Sequence, residues 1–116
     1  MKENPSVSII MNCFNSEKYL VEAIESVFSQ SFTNWEIIFW DNRSTDGSAN
    51  IAKTYGPKLK YFLAPKHTDL GVARNLALNK AKGKYVGFLD CDDLFLKDML
   101  KIQITFMEMH DYAMSY

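Results

Sequence analysis

Lys84-Tyr85-Val86-Gly87-Phe88-Leu89-Asp90-Cys91-Asp92-Asp93 is an apolar run that ends in three carboxylates. An uninterrupted stretch of this kind, with aromatic and β-branched side chains, reads as a buried strand. The strand therefore delivers Asp90, Asp92 and Asp93 to one place. Two carboxylates about 4 Å apart repel by roughly 4 kcal/mol at an effective dielectric near ~20, so such a cluster persists most easily around a hard divalent cation. That is the residue chemistry of metal-assisted phosphate handling. Aspartate is also a common turn former, and a solvated turn after the strand is the alternative reading of these residues taken alone.

Upstream of this stretch, strands and helices alternate. Val7 to Cys13 is a first strand. Asn15 or Ser16 can cap a helix in which Leu20, Ala23, Ile24, Val27 and Phe28 recur at helical spacing and face the sheet. Trp35 to Trp40 is a second strand, Asp41 to Gly47 a polar turn, and Ser48 to Tyr55 a helix stopped by Gly56-Pro57. Leu59 to Ala64 is a third strand, Pro65 to Leu70 a loop, and Gly71 to Ala81 a helix closed near Gly83. Tyr85 to Leu89 is the fourth strand, followed by an amphipathic helix from Leu96 to Met109 with Met99, Ile102, Phe106 and Met109 on its buried face. Continuous apolar strands separated by helices predict an α/β, doubly wound, mostly parallel sheet with helices on both faces. Asp111 to Tyr116 looks like a strand that has only begun, so residues 1–116 are expected to be one unit, apparently truncated, of a longer domain.

Composition narrows the function classes. A net charge of −1 gives no basic field, and the lysines are scattered, so a nucleic-acid partner is not expected. No apolar run approaches the roughly 20 residues that span a bilayer, and the N-terminus has no signal-like core, which points to a cytoplasmic domain. Cys13 and Cys91 form no disulfide framework and have no zinc-ligand spacing; they read as buried, reduced thiols.

In an open α/β sheet, ligands bind beyond the carboxyl ends of the strands. The polar residues of this chain gather there. The first strand supplies Asn12, Phe14 and Asn15, the second Asp41, Asn42 and Arg43, the third crossover Arg74 and Asn75, and the fourth the aspartates. A carboxylate can accept an imide proton of a base or bind ribose hydroxyls, an aromatic ring can stack on a base, and an arginine near a helix start can pair with diphosphate.

Four stretches in order, Pro5 to Asn15, Trp35 to Ser48, Gly71-Val72-Ala73-Arg74-Asn75 and Gly83 to Asp93, together with Tyr19-Leu20 and Ser26 to Gln30, resemble the GT-A fold, inverting family 2 nucleotide-sugar glycosyltransferases. The resemblance covers nearly the whole chain. It implies that Asp41 contacts the base, Phe14 stacks near it, Asn12 and Asn15 line the nucleotide site, Asp90 holds ribose hydroxyls and Arg74 supports the ribose or diphosphate. Asp92 is then the principal ligand of Mn²⁺ or Mg²⁺, with Asp93 behind it or on the acceptor side. The implied donor is a UDP-sugar, and the acceptor a saccharide or lipid-linked hydroxyl. Phe14 stands where tyrosine is common, and Asn42-Arg43 where Asp-Gly is frequent, which costs the turn its permissive glycine. No catalytic base is expected within residues 1–116, since in the resembled family it lies further downstream; Asp111 sits toward the opposite edge. Self-association through the sheet edge near Tyr112, Met114 and Tyr116 is a further expectation.

Competing readings are weaker. A strand ending Asp-x-Asp also opens haloacid-dehalogenase-like phosphatases, but Leu94 stands where Thr or Val is expected. The turn Asn12 to Ser16 lacks the glycines of a dinucleotide-binding fingerprint. A non-catalytic nucleotide-sugar-binding module or an inactive fragment is the alternative from another class. Trp35 and Trp40 read as core, and His67 and His110 as solvated or capping residues.

Overall fold

The computed structural model describes residues 5–95 and 99–110, the last five of these in backbone only. Its strands are β1 Val7–Cys13, β2 Trp35–Asp41, β3 Leu59–Leu63 and β4 Tyr85–Phe88, and its helices α1 Glu17–Phe28, α2 Ser48–Lys53, α3 Leu70–Leu78 and α4 Met99–His110. All four strands pair in parallel in the order β3-β2-β1-β4. The expected doubly wound α/β layout is therefore present. The expected strand at residues 111–116, and the edge contact proposed there, lie outside the described residues.

Both faces of the sheet are covered, which is why β1 and β2 are apolar almost throughout. Val7, Ile9, Met11 and Cys13 face α1 and α2, while Ile10 and Ile38 pack under Ala73 and Ala77 of α3. Trp35 and Trp40 are core residues, as expected.

Several boundaries differ from the periodicity. Helix α3 begins on Asp69, whose Oδ1 accepts the Val72 N–H at 2.9 Å, and stops at Leu78. Its shortfall has a local cause: the N–H groups of Lys82 and Gly83 turn to the Ser8 hydroxyl and the Glu36 carboxylate. Neither Asn15 nor Ser16 caps α1 with its side chain. The Ser16 hydroxyl donates back to the Phe14 carbonyl, and Asp46 accepts the Glu17 N–H at 3.2 Å instead. Helix α4 buries Leu100 and Ile104 and packs Met99 against the same core, as expected, but Ile102 is 67% exposed, so the face is rotated away from Ile102; the side chains of Phe106 and Met109 lie outside the described residues. Gln30 holds this face to the core: buried just after α1, its Oε1 accepts the Leu100 N–H at 3.0 Å and ties α4 to the end of α1.

Candidate functional site

The strand order reverses between β1 and β4, because β1, β2 and β3 run outward on one side and β4 joins on the other. At this switch the chain diverges from adjacent strand ends, and a crevice opens beyond their carboxyl termini. A cleft of about 510 Å³ occupies that position, lined by Asn12 at the end of β1, Phe14 and Asn15 just beyond it, and Asp90, Cys91 and Asp92 after β4. Two smaller hollows adjoin it. One of about 250 Å³ lies between Phe14, Asn42 and His67; another of about 260 Å³ lies between Arg74, Asp90 and Asp93.

The carboxylates of Asp90, Asp92 and Asp93 are exposed and can bring one oxygen each within 4.8 Å of one another. They take no side-chain hydrogen bond or ion pair from any described residue. An all-oxygen set of this size suits Mg²⁺ or Mn²⁺ better than a soft metal. Asn12 contributes a second unused group. Its side-chain oxygen is buried without a hydrogen-bond partner, and the residue borders both the large cleft and the Phe14 hollow.

Phe14 is half exposed and packs against His67, ring centroids 4.5 Å apart. His67 Nδ1 meets the Asn42 carbonyl at 2.9 Å. The Asn42 side chain then pairs with both backbone groups of Thr68, donating to its carbonyl at 2.7 Å and accepting its N–H at 3.0 Å. His67 is thus part of the wall beside Phe14, a placement its position in the sequence gave no sign of. Arg74 is exposed, lies 5.7 Å from the centre of the Phe88 ring, and shares its hollow with Asp90.

Two of the residues expected at the ligand have structural duties. Asn15, in the left-handed region at φ 50°, accepts the Thr45 N–H at 2.7 Å and so holds the turn after β2. Asp41 is almost wholly buried and lines none of these hollows; its Oδ1 accepts the Ser44 N–H at 2.8 Å and its Oδ2 the Tyr61 hydroxyl at 2.5 Å. Burial, then the bond to Asp41, push the Tyr61 phenol well above its usual range. The same turn holds Asp46 down. Burial works to raise its carboxyl, but the hydroxyl and N–H of Ser48 and the N–H of Glu17 outweigh it. Arg43 sits at φ 68°, in the left-handed conformation that a glycine would take without cost. Asn12, Phe14, Asn15, Asp90 and Asp92 therefore meet at one cleft, Arg74 stands beside it, and Asp41 lies behind it.

Beneath the cleft, Cys13 and Cys91 are free and buried, as expected. The neighbouring Cys91 thiol, whose own S–H goes to the Asn12 carbonyl at 3.3 Å, brings Cys13 down to about 6 against the effect of burial, with help from nearby serine hydroxyls. No described helix is long and apolar enough to cross a membrane.

The sequence profile described as "Glycosyl transferase family 2" matches residues 8–116. The chain belongs to that family. Among its relatives is EpsE of Bacillus subtilis strain 168, a protein named as a glycosyltransferase, 40% identical over 95% of this chain and 41% of its own length. S. aureus TarS, solved in complex with UDP-GlcNAc, superposes with a TM-score of 0.87 at 34% identity over 91% of this chain and 32% of TarS. The mannosyltransferase PcManGT from Pyrobaculum calidifontis, solved with GDP-Man and Mn²⁺, gives 0.73 at 25% identity over 83% of this chain and 30% of its own. The chain spans less than half the length of each of these proteins.

Proposed function

We propose that this chain forms the nucleotide-sugar-binding half of an inverting, metal-dependent glycosyltransferase, with a UDP-sugar donor and a hydroxyl of a saccharide or lipid-linked molecule as acceptor. The observation that carries this reading is the meeting of Asn12 and Phe14 with unpartnered carboxylates at the strand-order switch. The TarS complex with UDP-GlcNAc supports the choice of uridine. The Mn²⁺ complex of PcManGT supports the metal.

In this reading the base lies against Phe14, with Asn12 offering its free oxygen to a ring N–H. Asp90 takes the ribose hydroxyls, Asn15 lines the cleft at its mouth, and Arg74 offers its guanidinium to ribose or diphosphate. Asp41 contributes by fixing the turn behind the base. Asp92, with Asp90 and Asp93 near it, would hold Mn²⁺ or Mg²⁺, and such an ion neutralises charge gathering on a departing nucleoside diphosphate. An acceptor hydroxyl attacks the anomeric carbon from the face opposite the diphosphate, which inverts its configuration. The free thiols of Cys13 and Cys91 suit a reducing, cytoplasmic setting.

The test is thermal unfolding with UDP in Mn²⁺ or in EDTA. A ligand at about 100 times its Kd stabilises the native state by about 2.7 kcal/mol, and that gain should appear with Mn²⁺ and shrink with EDTA. Asp92→Ala, at an exposed position, should fold normally and lose the difference. Equal stabilisation in both buffers would remove Asp92 from the site, and a preference for GDP, TDP or CMP in the same assay would overturn the choice of uridine.

A further inference from the structure

The nucleotide-site reading sets a diphosphate beside the carboxylates of Asp90, Asp92 and Asp93, and one divalent ion cannot balance so much negative charge. The cleft has to supply cations of its own. Helix amino ends often do this through their free N–H groups, but here the turns use them. The Ser16 N–H donates to the Ser48 hydroxyl at 3.0 Å and the Glu17 N–H to Asp46 at 3.2 Å, at the start of α1. At α2 the Ser48 N–H goes to Asp46 at 2.9 Å, and at α3 the Val72 N–H goes to Asp69 at 2.9 Å. An incoming anion meets carboxylates at these ends, so the positive charge has to come from side chains.

Among the lysines and arginines of the described residues, Arg74 and Lys18 border the cleft and its adjoining hollows. Arg74, on α3, shares its hollow with Asp90 and Asp93. Lys18, in the first turn of α1, lines the large cleft with Phe14, Tyr19, Asp90 and Asp92. Helices α1 and α3 cover opposite faces of the sheet, so the two cations approach the aspartate loop from opposite sides. The Lys18 ammonium lies 5.2 Å from the centre of the Tyr19 ring, which borders the same cleft. It makes no ion pair with any described residue, and the neighbouring Glu17 carboxylate accepts the Gly47 N–H at 3.2 Å instead.

We propose that Lys18 binds the nucleotide-sugar, its ammonium pairing with diphosphate oxygens on the side of the cleft away from Arg74. The assignment rests on the nucleotide-site reading. A compact charge on a flexible stem, with its proton donors free to rotate, suits a phosphate group that is recognised as charge more than as shape. Such a contact tells UDP from uridine and is indifferent to the base. Negative charge on the diphosphate grows as its bond to the sugar breaks, so the same pairing strengthens along the reaction.

Calorimetry with UDP and with uridine, both in Mn²⁺, tests the pairing in the parent chain, Lys18→Met and Lys18→Arg. Methionine keeps most of the stem and drops the charge; arginine keeps the charge. Lys18 is exposed, so both variants should unfold at the parent midpoint. Lys18→Met should bind UDP about tenfold more weakly, the size of one hydrogen bond to a charged group, with uridine affinity within about twofold of the parent. Lys18→Arg should recover most of the lost UDP affinity. UDP bound by Lys18→Met within about twofold of the parent would overturn the proposal, as would a parallel fall for UDP and uridine, or Lys18→Arg as weak as Lys18→Met. A parent chain that binds no UDP would refute the nucleotide-site reading itself, and this assignment with it.

Discussion

Asp41→Ala separates a carboxylate that builds the site from one that touches the ligand. Asp41 is 1% exposed and accepts two hydrogen bonds, from the Ser44 N–H at 2.8 Å and the Tyr61 hydroxyl at 2.5 Å. Hydrogen bonds to a charged group contribute about 1.5–3 kcal/mol each. Their sum overstates the loss, because removing the carboxylate also removes the cost of burying it, and half-buried Tyr61 regains water. The expected destabilisation is about 2–4 kcal/mol, or a fall of about 2 M in the urea midpoint at an m-value near ~1.5 kcal/mol/M. Tyr61→Phe is the sharper probe. It leaves Asp41 in place with one oxygen unpaired, so it should cost about 1–2 kcal/mol while UDP affinity stays within about twofold of the parent. A carboxylate that bonds the base directly would be released by the same change, and UDP would bind more tightly. Tighter binding in Tyr61→Phe, or an Asp41→Ala chain within about 0.5 kcal/mol of the parent, would refute the structural role.

Arg43→Gly should raise stability by about 0.5–1 kcal/mol, because glycine accepts the φ of 68° without strain and this outweighs the exposed bond from Arg43 to the Pro65 carbonyl; a lower urea midpoint would contradict it. Gly83→Ala should cost about 2–3 kcal/mol, since a Cβ there would come within 2.6 Å of the Ser8 backbone nitrogen. An unchanged midpoint in the same titration would show that the β1–β4 approach is looser than described. Gln30→Ala should cost about 2–3 kcal/mol through the orphaned Leu100 N–H, and hydrogen exchange should locate the loss at the start of α4; protection unchanged there would count against Gln30 as the anchor.

The sheet was legible because burial on both faces leaves little room for polar residues in β1 and β2, and a continuous apolar run is the direct result. The aspartate loop was legible from the end of such a run, since three like charges delivered together by a buried strand repel one another unless a cation joins them. What the periodicity could not show is closed by residues far apart in the chain. Asp46 caps α1 from the following crossover, and Gln30 ties α4 to the end of α1. The buried face of α4 follows Leu100 and Ile104, where that remote contact holds the helix to the core. His67 gave no signal at all: it lies in a polar loop, and only Asn42, seizing Thr68 with both ends of its amide, brings it to Phe14.

The polar residues at the carboxyl end of the sheet fall into two sets once their partners are counted. Asn15, Asp41, Asn42 and Asp46 commit their oxygens to backbone N–H groups or hydroxyls of the turns themselves, and Glu17 closes the exchange by accepting the Gly47 N–H at 3.2 Å while Asp46 accepts its own. These groups make the wall rigid. Asp90, Asp92, Asp93 and the Asn12 oxygen have no such occupation among the described residues, and all four residues border the cavities at the β1–β4 switch. A buried oxygen without a donor costs about 1–3 kcal/mol, and neighbouring carboxylates repel. Trp35, Trp40, Tyr85 and Gln103 also carry buried polar atoms without a partner, but only at the cleft do such an atom and a carboxylate cluster lie together. A nucleoside diphosphate with its metal supplies a proton donor for the one and a cation for the other, which is why the unpartnered groups, more than the motif's full set of polar residues, mark where the ligand would lie.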